Sequence, residues 1–234
     1  MQQSGRLLGG IGVVFAVLLA MSAVSPLGAH GVAPRDARLL QSLDGVAIGP
    51  LLYLGAKHMV TGYDHLLFLA GVVFFLHRLS HVLVYVSLFT VGHSATLLAG
   101  AIGGWAVNPY LIDAVIGLSV AYKAFENMGG FRRIGWPVDS RVAVLGFGLA
   151  HGLGLATRLQ DLTLSPNGLV ANIISFNIGV EIGQGLALSI VLIALVAWRT
   201  RPSYARHAFL ANAALLTCGF VLTGYQLAGY LVTP

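Results

Sequence analysis

The chain contains the stretch His58-Met-Val-Thr-Gly-Tyr-Asp64-His65, followed directly by the apolar run Leu66-Leu-Phe-Leu-Ala-Gly-Val-Val-Phe-Phe-Leu76. Together with the residues just before it, this run is close to the length of a membrane-spanning helix. Ionisable groups are costly inside a bilayer and are kept mainly where another group pairs with them. The stretch therefore predicts a membrane helix that carries a functional site at its beginning.

The composition agrees with a membrane protein. Of the 234 residues, 57% are hydrophobic and only 9% are charged, whereas a soluble domain has about 25% charged residues. The formal net charge is +5, but the basic residues are spread along the chain and form no tract interleaved with aromatic residues. The lipid bilayer is therefore the expected partner, and nucleic acid is not.

Further apolar runs follow the first one, and each is near the length of about 20 residues that a membrane helix needs. The runs cover residues 59–76, 82–101, 108–128, 142–158, 169–198 and 208–231. This pattern predicts an all-α, polytopic membrane bundle with six transmembrane helices over residues 59–231. Residues 30–58 are predicted to form a periplasmic linker with a short amphipathic segment at the membrane interface.

The first residues follow the order of a secretory signal peptide. Arg6 precedes an apolar segment, Leu7–Val24, and small residues lead to Ala29. We expect residues 1–29 to be a signal peptide, and cleavage after Ala29 would make His30 the amino terminus. Without cleavage, the segment would be a seventh membrane helix.

The basic residues between the apolar runs give the same orientation as the signal peptide. Connections on the predicted cytoplasmic side hold Arg78, Arg132, Arg133, Arg141, Arg199, Arg201 and Arg206. The other side holds Arg35, Arg38 and Arg158. Positive residues favour the cytoplasmic side, so we expect a protein of the bacterial inner membrane with its mature amino and carboxyl termini in the periplasm.

In this orientation, polar side chains from several spans lie at a similar depth in the outer half of the bilayer. The candidate metal ligands are His58, Asp64, His65, His93, His151 and Glu181, and Ser94, Asp113 and Asn177 are candidates for orienting them. Imidazole and carboxylate groups suit Ni, Zn, Cu or Fe better than Mg or Ca. The inner half has fewer polar residues, and Lys123, Glu126 and Asn127 are expected to reach the interface by snorkelling.

Helix geometry limits how the opening stretch can bind an ion. His58 and His65 are seven residues apart and share a face, but about 10.5 Å of helical rise separates them. A break at Gly62 would be needed to bring both to one ion. The small-residue lines around His151 (Gly146, Gly148, Ala150, Gly152 and Gly154) and around Glu181 (Gly179 and Gly183) predict close helix packing.

Four ordered motifs lie on successive spans. They are His58-x5-Asp64-His65-Leu-Leu, Phe89-Thr-x-x-His93-Ser94, Phe147-Gly-Leu-x-His151-Gly152-Leu-Gly and Phe176-Asn177-x-Gly-Val-Glu181-x-Gly-Gln184. Together, over about residues 50 to 230, the chain resembles the HupE/UreJ family of bacterial membrane proteins. The resemblance implies a permease for nickel or another metal, associated with hydrogenase or urease, whose partners would be a metalloenzyme or its maturation proteins.

The chain departs from the better-studied branch of that family at two positions. Met59 stands where that branch has Pro, and Gly154 stands where it has Glu. These differences indicate a divergent branch, in which Glu181 is a candidate to replace the missing carboxylate.

Two other functions are compatible with the same residues. Three histidines can hold a zinc ion with one position open for water, which would suit a membrane-embedded hydrolase with Ser94 nearby. An accessory protein could instead use the site to hand a metal to a metalloenzyme. Transport, hydrolysis and delivery all remain open from the sequence.

Overall fold

A computed structural model of the chain describes residues 45–136, 138–160 and 167–232, and all regular secondary structure within these residues is helical. The helices are α1 (Ile48–Thr61), α2 (Tyr63–Val73), α3 (Leu79–Gly103), α4 (Pro109–Asn127), α5 (Gly130–Arg133), α6 (Ser140–Gln160), α7 (Leu169–Arg199) and α8 (Pro202–Val232). The predicted signal peptide and most of the predicted linker lie outside the described residues.

Four of the described helices are long and apolar enough to cross a membrane: α3, α6, α7 and α8. Their bounds contain the predicted runs 82–101, 142–158, 169–198 and 208–231. Helix α4 coincides with the predicted run 108–128, but Asp113, Lys123 and Glu126 interrupt its apolar character. The prediction of an all-α membrane protein is confirmed at this level.

The first predicted span is not one continuous helix. The chain breaks at Gly62, whose backbone is extended (φ −72°, ψ 101°), between α1 and α2. Helix α1 begins at Ile48, so it covers the predicted amphipathic segment as well as the beginning of the predicted run 59–76. Lys57 and His58 marked an apparent boundary in the sequence, yet both are partly buried inside the bundle. The His58–His65 stretch therefore lies near the middle of a broken helix, not at its outer end.

Glycines bring two pairs of parallel helices into close contact. In the α3–α6 pair, a Cβ atom added to Gly152 would collide with the backbone carbonyl of His93. In the α1–α7 pair, a Cβ atom added to Gly179 would collide with the carbonyl of Leu52. Small residues allow helix backbones to approach this closely, so the predicted packing at these glycines is confirmed. Gly146 differs, because the space around it is open.

Helix α4 packs antiparallel to α8. A Cβ atom on Gly219 would press on the backbone of Ala121, and Gly117 lies against Thr223 nearer the other end of the pair. Asn127, at the end of α4, donates to Asn212 near the start of α8. The α4–α8 pair packs beside α2 and α6.

Arg199 holds the carboxyl end of α2. Its Nη2 donates to the carbonyls of Val73 and Phe74 at 2.6 Å, and its Nη1 donates to that of Leu76 at 2.9 Å. At the other end of the broken helix, the backbone N–H of Ala47 donates to Asn172, close to the start of α7. The α1–α2 pair therefore runs beside almost the whole of α7.

The polar residues at the carboxyl end of α4 do not snorkel as the sequence predicted. Lys123 is buried, and its Nζ donates to Glu126 Oε2 at 2.7 Å and to Ser140 Oγ at 2.9 Å. Asn127 donates to the carbonyl of Gly71 at 2.8 Å. An ion pair and side-chain hydrogen bonds satisfy these groups inside the bundle, so they have no need to reach the membrane surface.

Candidate metal centre

The centre of the bundle brings together Asp64, His65 and His151. One ligand atom from each residue lies within 4.8 Å of the other two. The three side chains are buried, with exposed fractions of 1%, 2% and 1%. The break at Gly62 aims the first turn of α2 at this point, and α6 supplies His151 from the opposite side.

A carboxylate fixes the tautomer of His65. The distance between His65 Nδ1 and Asp64 Oδ1 is 3.1 Å. When ionised, the Asp64 carboxylate only accepts hydrogen bonds, which leaves the proton on Nδ1 and the lone pair on Nε2. Metal-binding histidines are commonly oriented by a carboxylate or carbonyl in this way. Asp64 can thus orient His65 and also offer an oxygen to the ion.

A backbone carbonyl fixes the tautomer of His151. Its Nδ1 lies 2.7 Å from the carbonyl oxygen of Phe147, one turn earlier on α6. A carbonyl has no proton to give, so Nδ1 must be the donor and Nε2 again keeps the lone pair. The ring centroids of His65 and His151 are 4.9 Å apart. Two imidazoles from different helices therefore offer the same type of ligand atom to one small volume.

His93 lies beside this group on α3. Its ring centroid is 6.1 Å from that of His65, and its side chain is 1% exposed. Neither ring nitrogen has a hydrogen-bond partner among the described residues. Buried polar groups are nearly always satisfied, so this histidine stands out as one that needs a ligand to complete it.

His58 reaches the group through the helix break. Its ring centroid lies 5.3 Å from that of His65, in an edge-to-face arrangement. In an unbroken helix, about 10.5 Å of rise would separate the two residues. The predicted role of Gly62 in bringing them together agrees with this geometry.

Gly62 also makes room for the ligands. A Cβ atom at this position would lie 3.0 Å from His65 Nδ1 and 3.2 Å from Asp64 Oδ1. Both contacts are tighter than side chains normally tolerate, so any larger residue would have to displace a candidate ligand. The glycine is required here for close approach and not for its backbone angles.

Glu181 lies apart from the central group. It is exposed on α7, and its Oε1 accepts a hydrogen bond of 3.3 Å from Asn177 Nδ2. The same amide nitrogen donates to Ser94 Oγ at 3.0 Å. Glu181, Asn177 and Ser94 therefore form a separate polar line between α3 and α7, next in sequence to His93.

Asp113 is buried, but an arginine is its partner. Arg158 Nη2 donates to Asp113 Oδ2 at 2.7 Å. Arg158 also lines a small pocket that His58, His65 and His151 share. From the sequence, Arg158 served only to predict the orientation in the membrane. Its spacing from His151, two helical turns on α6, is the signal that could have placed it on the same face.

Aromatic side chains surround the histidines. The Phe68 and Phe89 rings lie 5.4 Å and 5.0 Å from the His151 ring, and Phe89 lies 5.9 Å from His93. Such walls exclude water and strengthen electrostatic interactions among the groups they enclose. Imidazole nitrogens and a carboxylate oxygen in this setting form a donor set for a borderline transition-metal ion.

The fold and this cluster together define a polytopic helical membrane protein with a buried histidine–carboxylate centre. A model of the HupE/UreJ protein family matches residues 35–234, nearly the whole chain. The chain belongs to the HupE/UreJ family. No match was found among curated proteins or among solved structures.

Proposed function

We propose that this protein is a membrane permease that binds a divalent transition metal at the central cluster and passes it across the inner membrane. The ligands proposed are Asp64, His65, His93 and His151, with His58 at the edge of the site. Nickel is the cargo that family membership favours, and Zn, Cu and Fe fit the same donor types.

The observation that carries this proposal is the buried group formed by Asp64, His65 and His151, whose ligand atoms lie within 4.8 Å of one another. Each Nδ1 is bound to an acceptor of its own, at 3.1 Å and 2.7 Å. With Nδ1 as the donor, Nε2 of each ring carries the lone pair that a metal ion would need. His207 makes the same contact to a carbonyl one turn earlier, that of Ser203 at 2.9 Å, so it is the clustering of the ligand atoms, and not this contact alone, that favours metal binding.

The arrangement of the helices supports a path through the bundle. A small cavity is lined by His65, Phe68 and Val72 of α2 and by Tyr85 of α3. The ammonium group of Lys123 lies 5.5 Å from the Tyr85 ring centroid, in the buried pair with Glu126. In the proposed orientation, these polar groups lie on the cytoplasmic side of the cluster, where the sequence predicted only residues at the membrane surface.

The cluster is enclosed in this conformation, so transport requires a movement. The break at Gly62 separates α1 from α2, and a few residues between two rigid elements are the usual place for a hinge. Discontinuous helices with a binding site at the break occur in many transporters. We propose that α2 moves relative to α1 when the ion enters or leaves.

The proposed membrane arrangement has six crossings. Helices α1 and α2 together make the first, because they run beside nearly all of α7, and α3, α4, α6, α7 and α8 make the others. A cleaved signal peptide at 1–29 and basic cytoplasmic connections place both mature termini in the periplasm. Delivery to a hydrogenase or urease maturation protein is the proposed purpose of the transported metal.

Uptake by reconstituted vesicles tests the transport claim. The wild-type protein should carry Ni²⁺ into proteoliposomes that contain a metal-sensitive dye, and the His151→Ala variant should not. His81→Ala is the matched control, because His81 is exposed at the start of α3. Tightly bound zinc without uptake by the wild type would instead support the hydrolase alternative.

A further inference from the structure

Glu181 is in an unusual place for a carboxylate. It is exposed on α7, one of the helices that are long and apolar enough to cross a membrane. Ile178 and Ile182 beside it are 45% and 47% exposed. A carboxylate on an apolar membrane-facing surface is costly and is typically kept for an ion pathway.

The surroundings of Glu181 are polar on one side only. Asn177 Nδ2 bridges Glu181 Oε1 and Ser94 Oγ, at 3.3 Å and 3.0 Å. Asn177 is buried, and its Oδ1 has no hydrogen-bond partner among the described residues. Exchanging the two ends of the amide would turn Oδ1 toward the carboxylate. Three oxygen atoms, from Glu181, Asn177 and Ser94, would then face one position.

A second polar contact leads from this position toward the central cluster. Gln184, one turn after Glu181, donates from Nε2 to Thr90 Oγ1 at 3.0 Å. Gln184 is buried and lines the same small cavity as His65. The boundary between α3 and α7 thus carries polar groups from the surface of the bundle to the cavity beside a proposed ligand.

We propose that Glu181, Asn177 and Ser94 form a second cation site, through which a divalent metal exchanges between the outside of the bundle and the histidine cluster. The inference rests on the proposed function. Oxygen ligands hold borderline transition metals less tightly than imidazoles do. A site of this kind speeds the entry and release of the ion and adds little to its affinity at the cluster, as conduction requires.

The test separates rate from affinity, using Ni²⁺ and the full-length protein in detergent or nanodiscs. Glu181→Gln keeps the size of the side chain and an oxygen that accepts from Asn177, but it removes the charge. We expect the rates of Ni²⁺ loading and release to fall about tenfold, as loss of a focusing charge can produce. The Kd should stay within about twofold of the wild type.

Two controls and a second variant make the result specific. Asp139→Asn removes another exposed carboxylate, at the start of α6, and Ser189→Ala removes an exposed hydroxyl of α7 that bonds to its own helix. Neither should change the rates. Ser94→Ala, a smaller change inside the proposed site, should slow loading in the same direction as Glu181→Gln.

Three results would overturn the proposal. Unchanged rates in Glu181→Gln would mean that the polar line serves packing or contact with a second copy of the chain. A Kd raised as much as in His65→Ala would make Glu181 a ligand of the central cluster itself. Absence of Ni²⁺ binding by the wild type would overturn the proposed function as well, and it would be seen before any variant is measured.

Discussion

The ring centroids of His65 and His151 lie 4.9 Å apart, and this contact joins the broken first helix to the middle of α6. Each ring is turned by an acceptor from its own helix, Asp64 in one case and the Phe147 carbonyl in the other. The spacing of the two Nε2 atoms therefore depends on how α2 sits against α6. A shift of α2 at the Gly62 break would change the metal site directly.

Replacing Asp64 tests the carboxylate at the centre. Asp64→Asn keeps an oxygen that can accept from His65 Nδ1 but removes the negative charge that strengthens the imidazole as a ligand. We expect metal affinity to fall by about 10- to 100-fold, measured by competition with a chromophoric chelator. Asp139→Asn, an exposed carboxylate at the start of α6, should leave the affinity unchanged. Equal affinities for Asp64→Asn and the wild type would remove Asp64 from the site.

Enlarging Gly62 tests the close packing at the helix break. The added Cβ of Gly62→Ala would lie 3.0 Å from His65 Nδ1, and the ligand would have to shift by a few tenths of an ångström. We expect about a tenfold loss of metal affinity, similar to other changes that misplace a ligand, with helical content preserved. Gly146→Ala is the matched control, because nothing lies within 4 Å of its added Cβ. An unaltered affinity for Gly62→Ala would contradict the geometry proposed for the site.

Metal binding should weaken in acid. An imidazole binds a metal only through an unprotonated nitrogen, and a histidine has an ordinary pKa of about 6.5. Protons compete for the Nε2 atoms as the pH falls, so affinity should be full near pH 7.5 and should drop below about pH 6. Isothermal titration at pH 7.5 and pH 5 measures the difference. Identical affinities at the two values would show that the histidines are not the ligands.

Arg199 should be important for stability. Its guanidinium group donates hydrogen bonds to the carbonyls of Val73, Phe74 and Leu76 at the end of α2. Arg199→Ala would leave those partly buried carbonyls without this donor. The expected loss is about 2 kcal/mol or more of unfolding free energy, since hydrogen bonds to charged groups are among the stronger ones.

Thermal unfolding in detergent measures the effect of that change. Arg201→Ala is the control, because Arg201 is exposed at the start of α8. Arg199→Lys should recover part of the loss, since an ammonium group can reach fewer carbonyls at once. Equal stability of Arg199→Ala and Arg201→Ala would mean that the Arg199 hydrogen bonds do not stabilise the end of α2.

The sequence predicted the long helices well because their apolar runs are nearly uninterrupted. The predicted run 169–198 and the observed Leu169–Arg199 almost coincide. Helix α1 was predicted only as a short amphipathic segment separate from the first span, because Lys57 and His58 interrupt the apolar pattern, although packing against α7 buries them in part. The prediction that Lys123 snorkels was wrong for a similar reason. Its partner Ser140 comes from α6, and only the folded bundle brings the two residues together.

Some features of the candidate site were likewise predictable from the sequence, and others were not. Spacing and depth placed His65, His93 and His151 together, and they lie together in the structure. The Phe147 carbonyl that orients His151 could not be chosen from the sequence, because every helical residue has a carbonyl four positions before it. Glu181 was assigned to the cluster from its depth alone. The rotation of α7, which turns this carboxylate to the outer surface, is set by packing against α1 and α3.

The measurement that tests the central claim most directly is the metal content of the purified protein after Ni²⁺ loading and dialysis, determined by mass spectrometry. Wild type, His65→Ala, His151→Ala and the exposed control His81→Ala should be compared at equal protein concentration. The account predicts nearly equimolar metal in the wild type and in His81→Ala, and little in the other two. Full metal retention in His65→Ala and His151→Ala would contradict it.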